Sequence, residues 1–127
     1  MSNETTLRSV YEAFGRGDMD GVLANCTDDI IFHNPGRSQI AGDYKGRDGF
    51  MAMAGKVMEL SGGTFREELT DALANDRHGI ALARHSLERS GKKYEYHTVH
   101  VWRIKDGKFT EFFEHPGDTI AFEEAWA

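Results

Sequence analysis

The segment KKYEYHTVHVWRIKDGKFTEFFEHP, residues 92–116, decides the fold, because apolar and polar side chains alternate on both sides of Asp106-Gly107. Alternation of this kind predicts strands with one buried face, and an Asp-Gly pair between two such runs predicts a hairpin. The pattern extends backwards through two further runs, divided by the turns SG and NDRHG. The C-terminal half therefore predicts a four-stranded antiparallel meander, with strands over 64–74, 80–89, 93–104 and 108–115.

The N-terminal half has helical spacing instead. A first helix over 3–14, capped by Ser2 or Asn3, has its apolar residues at i, i+3, i+4 and i+7: Leu7, Val10, Tyr11 and Phe14. Asp18 is expected to cap a second helix, with the stripe Met19, Val22, Leu23 and Cys26. Further helices are predicted over 48–60 and in DTIAFEEAWA, 118–127. Helices followed by a curved sheet predict an α+β domain whose sheet wraps around its helices.

One more strand is predicted in DDIIFHNP, residues 28–35, where Pro35 and Gly36 end it, and a brief one is expected around Tyr44. His33 and Asn34 stand side by side at the end of the first strand. Successive side chains of a strand point to opposite faces, so these two are not expected to line one cavity together.

Composition limits the class of protein. The 127 residues suit one domain, 1–127, which can bury about two-thirds of the surface of its unfolded chain. With the single cysteine Cys26 there is no intrachain disulfide, and the polar opening MSNETT lacks a signal segment, so a cytoplasmic location is expected. No apolar run approaches the roughly 20 residues of a membrane span. The formal charge of −6 argues against nucleic acid as a partner.

The meander has a defined register if SG and DG are both two-residue turns. The opposed pairs are then Leu87–Tyr94, His85–Tyr96, Ala83–Thr98, Ala81–His100 and Trp102–Glu111. The inner face has a composition typical of a ligand cavity: Ala81, Ala83, His85, Tyr96, Thr98, His100, Trp102, Ile104, Phe109, Glu111 and Phe113. A glycine bulge or a three-residue turn would shift the pairing by one, which leaves the facing of His85 and Glu111 open.

The outer face has an apolar centre and a charged rim: Ile80, Leu82, Arg84, Ser86, Glu88, Val99, Val101, Arg103 and Phe112. Such a patch on an exposed sheet is more typical of a subunit interface than of bare surface. A homodimer through the outer sheet face is therefore expected.

Three stretches together resemble the SnoaL-like branch of the nuclear transport factor 2-like superfamily, which includes ketosteroid isomerases and polyketide cyclases: YEAFGRGDMDGVLANCTDDIIFHNPG, AGDYKGRDGF and HVWRIKDGKFTEFFEHPGD. The resemblance covers nearly the whole chain. It implies a cystatin-like α+β barrel, in which a cone-shaped antiparallel sheet wraps around three helices and encloses a pocket, commonly in a dimer.

The same resemblance argues against the steroid isomerase mechanism. Ketosteroid isomerases carry a proton-transferring aspartate before a proline at the end of the first strand, where HNP places Asn34. An amide cannot accept that proton. Their oxyanion-binding tyrosine and protonated aspartate correspond here to Val10, one residue before Tyr11, and to His100.

His100 is the leading candidate for proton transfer, because a histidine exchanges protons near neutral pH. The alternative is an inner-face histidine that only hydrogen-bonds a neighbour. Glu111 beside Trp102 is the second catalytic candidate, although such a glutamate more often pairs with an arginine. The expected ligand contacts are Asn34, Tyr11, Phe14, Phe32, His85, Tyr96, Trp102 and Phe113.

No metal site is expected, because His97 and His100 lie on opposite faces and no HxH or HxxxH pair shares an element. No phosphate-binding loop appears, so no cofactor is expected. The favoured function is binding of a small apolar molecule, with acid–base chemistry of the isomerase, cyclase or hydrolase type on a cyclic compound if the protein is an enzyme. His100 would then carry the proton and Asn34 would orient it. A ligand-binding protein without catalysis and a dimeric interaction module are the alternatives.

Overall fold

The computed structural model describes residues 2–127, and its elements follow the predicted order. They are α1 (Asn3–Gly15), α2 (Met19–Leu23), β1 (Cys26–Asn34), β2 (Gly42–Lys45), α3 (Gly46–Leu60), β3 (Arg66–Ala74), β4 (His78–Arg89), β5 (Lys92–Lys105), β6 (Lys108–Pro116) and α4 (Thr119–Ala125). The predicted α+β class is confirmed. None of the four helices in residues 2–127 has the length and apolarity that crossing a membrane requires.

The strands form one six-stranded sheet in the order β2-β1-β6-β5-β4-β3. The last four strands are the predicted meander. The first strand, β1, pairs with β6 of this meander and runs parallel to β6. The sheet is therefore mixed, whereas the prediction was an antiparallel sheet. A parallel neighbour is possible because a long connection, which includes α3 and the meander, separates the two strands in sequence.

Side chains cap three of the helices. Ser2 accepts a hydrogen bond from the Thr5 amide, and Asp18 accepts one from the Gly21 amide. Asp118 accepts from two amides at the start of α4. The prediction that Cys26 lies on the apolar stripe of the second helix is wrong. Helix α2 ends at Leu23, and Cys26 begins β1, where it is buried.

The register of the β4–β5 hairpin is the predicted one. Ser90 and Gly91 both have positive φ, 52° and 79°, which is the two-residue turn that matches the twist of a hairpin. His85 therefore lies opposite Tyr96, and Ala81 opposite His100. The inner-face position of His85, which the sequence left open, follows from this register.

The register of the β5–β6 hairpin differs from the prediction. Its turn is also of the two-residue kind, with φ of 51° at Asp106 and 77° at Gly107. A bulge follows after two pairs, so Arg103 and not Trp102 lies opposite Glu111. Because one extra residue reverses the facing of all that follow, Phe112 and Glu114 point inward, whereas Glu111 and Phe113 point outward.

Two apolar clusters fill the interior. The first joins α1 and α2 to the sheet through Leu7, Val10, Tyr11, Val22, Phe32, Trp102 and Phe109. The second joins α4 to the other end of β4 and β5 through Leu87, Tyr96, Phe122 and Trp126. Phe14 packs against both clusters. A cavity lies where they meet.

Candidate active site

A cavity of about 90 Å³ lies between the inner face of the sheet and the helices α1 and α3. Much of its wall is apolar, including Val10, Phe14, Phe32, Phe50, Met53 and Val57. A cavity of roughly 150 Å³ with such a wall takes up benzene, so this one fits about a single ring or less without rearrangement. Concave, apolar sites with a few polar groups are typical of small-molecule binding.

One buried chain of hydrogen bonds reaches the cavity from β6. His100 Nε2 lies 2.9 Å from Glu114 Oε2, and His100 Nδ1 lies 2.6 Å from the Tyr11 hydroxyl oxygen. The Trp102 indole N–H donates to that hydroxyl at 3.0 Å. The Thr98 hydroxyl donates to the same Glu114 oxygen. Carboxylate, imidazole, phenol and indole are thus linked in that order.

A second chain repeats this order from the opposite side, on β3. His85 Nε2 lies 2.6 Å from Glu67 Oε2, and His85 Nδ1 lies 3.0 Å from the Tyr96 hydroxyl oxygen. The Trp126 indole N–H donates to that hydroxyl at 2.9 Å. The two imidazole rings are 5.4 Å apart, and all eight residues of the two chains line the cavity. Two hydrogen-bond chains with the same order of groups therefore meet at one pocket.

Glu114 and His100 form an ion pair away from water, with 8% and 2% of their side chains exposed. Burial alone would raise the pKa of Glu114, but the charge and hydrogen bonds of His100 and its neighbours hold it at about 2. Burial alone would lower the pKa of His100, but the charge and hydrogen bond of Glu114 raise it above its usual 6.5. Near pH 6.5 the pair is therefore a carboxylate and an imidazolium.

The charge state of His100 decides what Tyr11 offers to a ligand. Burial raises the pKa of Tyr11 well above its usual value, so its hydroxyl keeps its proton. An imidazolium donates from both nitrogens, so the Tyr11 oxygen accepts from His100 and from Trp102 and its O–H is free to donate. When His100 is neutral, Tyr11 donates to Nδ1 instead and can only accept from a ligand. The chain is thus a switch between donor and acceptor at the cavity wall.

Most of the residues predicted from the sequence do meet at this cavity. His100 lines it, and so do seven of the eight predicted ligand contacts: Asn34, Tyr11, Phe14, Phe32, His85, Tyr96 and Trp102. Whether they bind a ligand stays a prediction. Asn34 does not orient His100 as expected, because its amide N–H donates to the Ile40 carbonyl at 3.2 Å.

Glu111 and Phe113 are placed differently from the prediction. The bulge in β6 turns both to the outer face, where Glu111 accepts a hydrogen bond from His33 at 2.8 Å and lies 3.3 Å from Arg103. Phe113 stacks on the His33 ring there, with ring centroids 4.6 Å apart. Neither residue can contact a ligand in the cavity. His33 faces away from Asn34, as predicted.

Sequence reasoning missed three residues of the site: Glu67, Glu114 and Trp126. Glu114 was not a candidate, because without the bulge the inner face of β6 holds Glu111 and Phe113. Glu67 faces His85 because a bulge between Leu69 and Asp71 shifts the register of β3 against β4, which alternation alone does not predict. Trp126 follows the short helix α4, and its apolar stripe was the signal that could have predicted packing against the sheet.

Glu67, His85 and His100 also form the group of side chains that comes nearest to a metal-binding arrangement in residues 2–127. One ligand atom from each lies within 4.8 Å of the others. The sequence search missed it, since the three residues come from three strands and not from one element. All four ring nitrogens already have side-chain partners, so a metal would have to break at least one of these hydrogen bonds.

A curved sheet around helices, enclosing an apolar cavity with buried acid–base groups, defines a small-molecule-binding domain of the nuclear transport factor 2-like fold. The chain belongs to the SnoaL-like domain family, whose model matches residues 7–112. A relative is the uncharacterized protein Rv0034 of Mycobacterium tuberculosis (strain ATCC 25618 / H37Rv), 30% identical over 122 residues, or 95% of this chain and 93% of that one.

Solved structures agree with this family. Bal32a, from a soil-derived mobile gene cassette, is 36% identical and superimposes with a TM-score of 0.92, covering 98% of this chain and 96% of its own. An NTF2-like protein of unknown function from Burkholderia pseudomallei K96243 is 26% identical, with a TM-score of 0.87 over 100% of this chain and 99% of its own. The resemblance found in the sequence is confirmed.

Proposed function

We propose that this protein is an acid–base enzyme that binds a small, largely apolar cyclic compound and moves a proton with His100, without a cofactor. The observation that carries the proposal is the His100–Glu114 ion pair, buried and linked through Tyr11 to the cavity wall. Buried charges cost stability unless they are well paired, and they concentrate at functional sites. An apolar ligand alone would need no such pair.

In the proposed reaction a carbonyl oxygen of the substrate accepts a hydrogen bond from Tyr11. Two donors, His100 and Trp102, already point at the Tyr11 oxygen, so its proton becomes easier to donate as negative charge develops on the substrate. When Tyr11 passes its proton to the substrate oxygen, the Nδ1 proton of His100 replaces it. In the same step a C–H proton next to the carbonyl leaves to a solvent water, and its bonding electrons form the carbon–carbon double bond of the neutral enol. Neutral His100 stays hydrogen-bonded to Glu114 and regains a proton from solvent.

The size of the cavity limits the substrate. About 90 Å³ accommodates roughly one ring, so a steroid does not fit the cavity as it stands. The residue at the position of the isomerase base is Asn34, whose side chain is held by the Ile40 carbonyl. Both observations argue against steroid isomerisation, in agreement with the sequence.

A ligand-binding protein without catalysis is the second candidate. In residues 2–127 every fully buried side-chain nitrogen and oxygen already has a hydrogen-bond partner. A network satisfied in this way also suits a rigid binding pocket that performs no reaction. An interaction module with an unused pocket has less support, because the cavity is not filled by side chains and has the polar residues Glu67, His85 and Glu114 in its lining.

Hydrogen exchange on small cyclic ketones tests the proposal. A polarised carbonyl acidifies the adjacent C–H bonds, so NMR in D₂O with cyclohexanone and 2-cyclohexenone should show faster deuterium incorporation with the protein than without it. His100→Gln should lower that acceleration by about 10²- to 10⁴-fold, the usual contribution of a general acid or base. His97→Gln, an exposed histidine on the same strand, is the matched control.

Two results would count against this assignment. Unchanged exchange in His100→Gln would exclude His100 as the proton carrier. Binding of the ketones with no acceleration of exchange by the wild-type protein would favour the ligand-binding protein.

A further inference from the structure

The second hydrogen-bond chain has no task in the proposed proton transfer. Glu67, His85, Tyr96 and Trp126 repeat the groups of the first chain in the same order, yet one chain is sufficient to move one proton. His85 and Glu67 are nearly enclosed, with 5% and 12% of their side chains exposed. A buried polar network of this kind often costs stability relative to an apolar core. Its presence therefore suggests that it has a function.

Each chain includes one tyrosine that lines the cavity, and the hydroxyl of that tyrosine has one hydrogen-bonding position left. The Tyr96 oxygen accepts from Trp126, and its second hydrogen bond is shared with His85 Nδ1. Whichever of the two donates in that second bond, a phenol has one more position to donate from or to accept at. The same count holds for Tyr11 with Trp102 and His100.

The two hydroxyls serve the same small space. His85 and His100 lie on adjacent strands with their rings 5.4 Å apart, while their carboxylates lie on the outer strands of that group, Glu67 on β3 and Glu114 on β6. The chains therefore meet at the cavity through their histidines, and Glu67 lies within 4.8 Å of a nitrogen of His100 as well as of His85. The Tyr11 and Tyr96 hydroxyls each lie within 3.0 Å of one of these two rings. A molecule of about one ring beside both histidines is therefore near both hydroxyls.

The carboxylates that bond to the two histidines restrict the charge of the ligand. Glu67 and Glu114 are close enough to affect both tyrosines electrostatically. A carboxylate on the ligand would face this negative charge in an environment that screens it poorly. Neutral oxygen groups, which can accept or donate, fit better.

We propose that the ligand is a single ring that carries two oxygen substituents, hydroxyl or carbonyl, one hydrogen-bonded to Tyr11 and the other to Tyr96. This inference rests on the proposed function for the place of the ligand in the cavity. It goes further by naming the chemical class of the ligand and by giving the second chain a role in binding it.

Binding of five simple rings tests the inference on the wild-type protein. Benzene, phenol, catechol, resorcinol and hydroquinone differ in the number and spacing of their oxygens, and NMR titration measures their dissociation constants at millimolar concentrations. Phenol should bind more tightly than benzene. At least one dihydroxybenzene should bind about five- to tenfold more tightly than phenol, as one added hydrogen bond predicts.

Two variants locate the second oxygen. In Tyr11→Phe and in Tyr96→Phe the best dihydroxybenzene should lose its five- to tenfold advantage over phenol, and benzene should bind as before. Tyr94→Phe is the control, because Tyr94 lies on the same strand as Tyr96 but does not line the cavity. This variant should bind all five rings as the wild type does. Thermal unfolding of each variant checks that it is folded.

The inference fails if no dihydroxybenzene binds more tightly than phenol to the wild-type protein, a result that needs no variant. It also fails if none of the five rings binds, or if the advantage survives in either of the two cavity variants. These outcomes leave the deuterium exchange of cyclic ketones as a separate result, so failure of the ligand class and failure of the proposed proton transfer are distinguishable.

Discussion

Two histidine–glutamate pairs lie on opposite faces of the sheet, and both use a glutamate of β6. On the inner face His100 and Glu114 are 2.9 Å apart, and on the outer face His33 and Glu111 are 2.8 Å apart. The inner side chains are at most 8% exposed, whereas both outer ones are more than a quarter exposed. Distance does not distinguish these pairs, but contact with water does.

Their neighbours differ as well. His33 also bonds to Asp43 at 2.7 Å, and Glu111 also lies near Arg103, so the outer pair belongs to an exposed network of four charges. Burial alone would lower the pKa of His33, but its hydrogen bonds to Glu111 and Asp43 raise it. The inner pair also has further partners, but these are the uncharged hydroxyls of Thr98 and Tyr11, and all four side chains belong to residues that are buried. The ionisation of the inner pair is therefore set inside the protein and not by contact with water.

Removing one member of each pair should give the largest difference. Glu114→Gln leaves an enclosed histidine without its counter-charge and should lower the free energy of unfolding by about 3–5 kcal/mol. Glu111→Gln should cost about 1 kcal/mol or less, because the exposed pair is screened by water. Urea unfolding of both variants at pH 6 measures the difference. Equal losses in the two variants would show that burial does not set the strength of the inner pair.

The next largest effect concerns the inner pair, whose contribution to the free energy of unfolding should depend on pH. The pKa of Glu114 is about 2 in the folded protein against a usual 4.5, so its contribution is complete above pH 4.5 and is lost as pH falls toward 2. The pKa of His100 is raised, so its contribution is complete below pH 6.5 and is lost as pH rises through the folded-state value.

The inner pair should therefore stabilise the protein most between pH 4.5 and 6.5, with a Glu114 contribution on the order of 3 kcal/mol. Chemical unfolding of the wild type and Glu114→Gln at intervals from pH 3 to pH 9 gives this contribution as the difference between two curves. A difference that stays constant over the whole range would contradict the ionised pair.

A smaller difference in the free energy of unfolding is expected between variants of two threonines. Thr98 donates to the buried Glu114, whereas Thr110 donates to the Arg103 carbonyl at the sheet surface. Thr98→Val should cost about 1.5–3 kcal/mol, the usual value of a hydrogen bond to a charged group, and Thr110→Val clearly less. Thermal or urea unfolding compares them. A larger loss in Thr110→Val would reverse the expected order.

Alternation, spacing and turn chemistry were sufficient to predict most of the fold. The Asp-Gly and Ser-Gly turns form as expected, and the β4–β5 register places His85 and His100 on the inner face. The bulge in β6 was not predictable, because it follows a correct turn and leaves no change in residue type. That single residue exchanged Glu111 for Glu114 at the site.

The partners of the histidines were also beyond sequence patterns. Glu67 lies 18 residues from His85 along the chain, and Trp126 lies 30 residues from Tyr96. Only the three-dimensional pairing of β3 and α4 with the sheet brings them together. Residue types could thus indicate that proton-carrying groups face a cavity, but not how they are linked.

The outer face gives the prediction with the smallest expected effect. We propose that it forms a homodimer interface, with Phe113 now taking the place expected for Phe112 among the apolar residues Ile80, Leu82, Val99 and Val101. Val101→Arg should raise the dimer dissociation constant about tenfold by placing a charge in the patch. Light scattering over a concentration series measures this. A monomeric wild-type protein at micromolar concentration would exclude the dimer.

The protonation of His100 tests the central claim most directly. Nitrogen-15 NMR of the imidazole rings distinguishes an imidazolium from a neutral ring, and a titration from pH 4 to pH 9 gives the pKa of His100 in the folded protein. The pair with Glu114 predicts that His100 is still mostly protonated at pH 6.5, with a proton on the nitrogen that faces Tyr11. A neutral His100 ring at that pH would contradict the account.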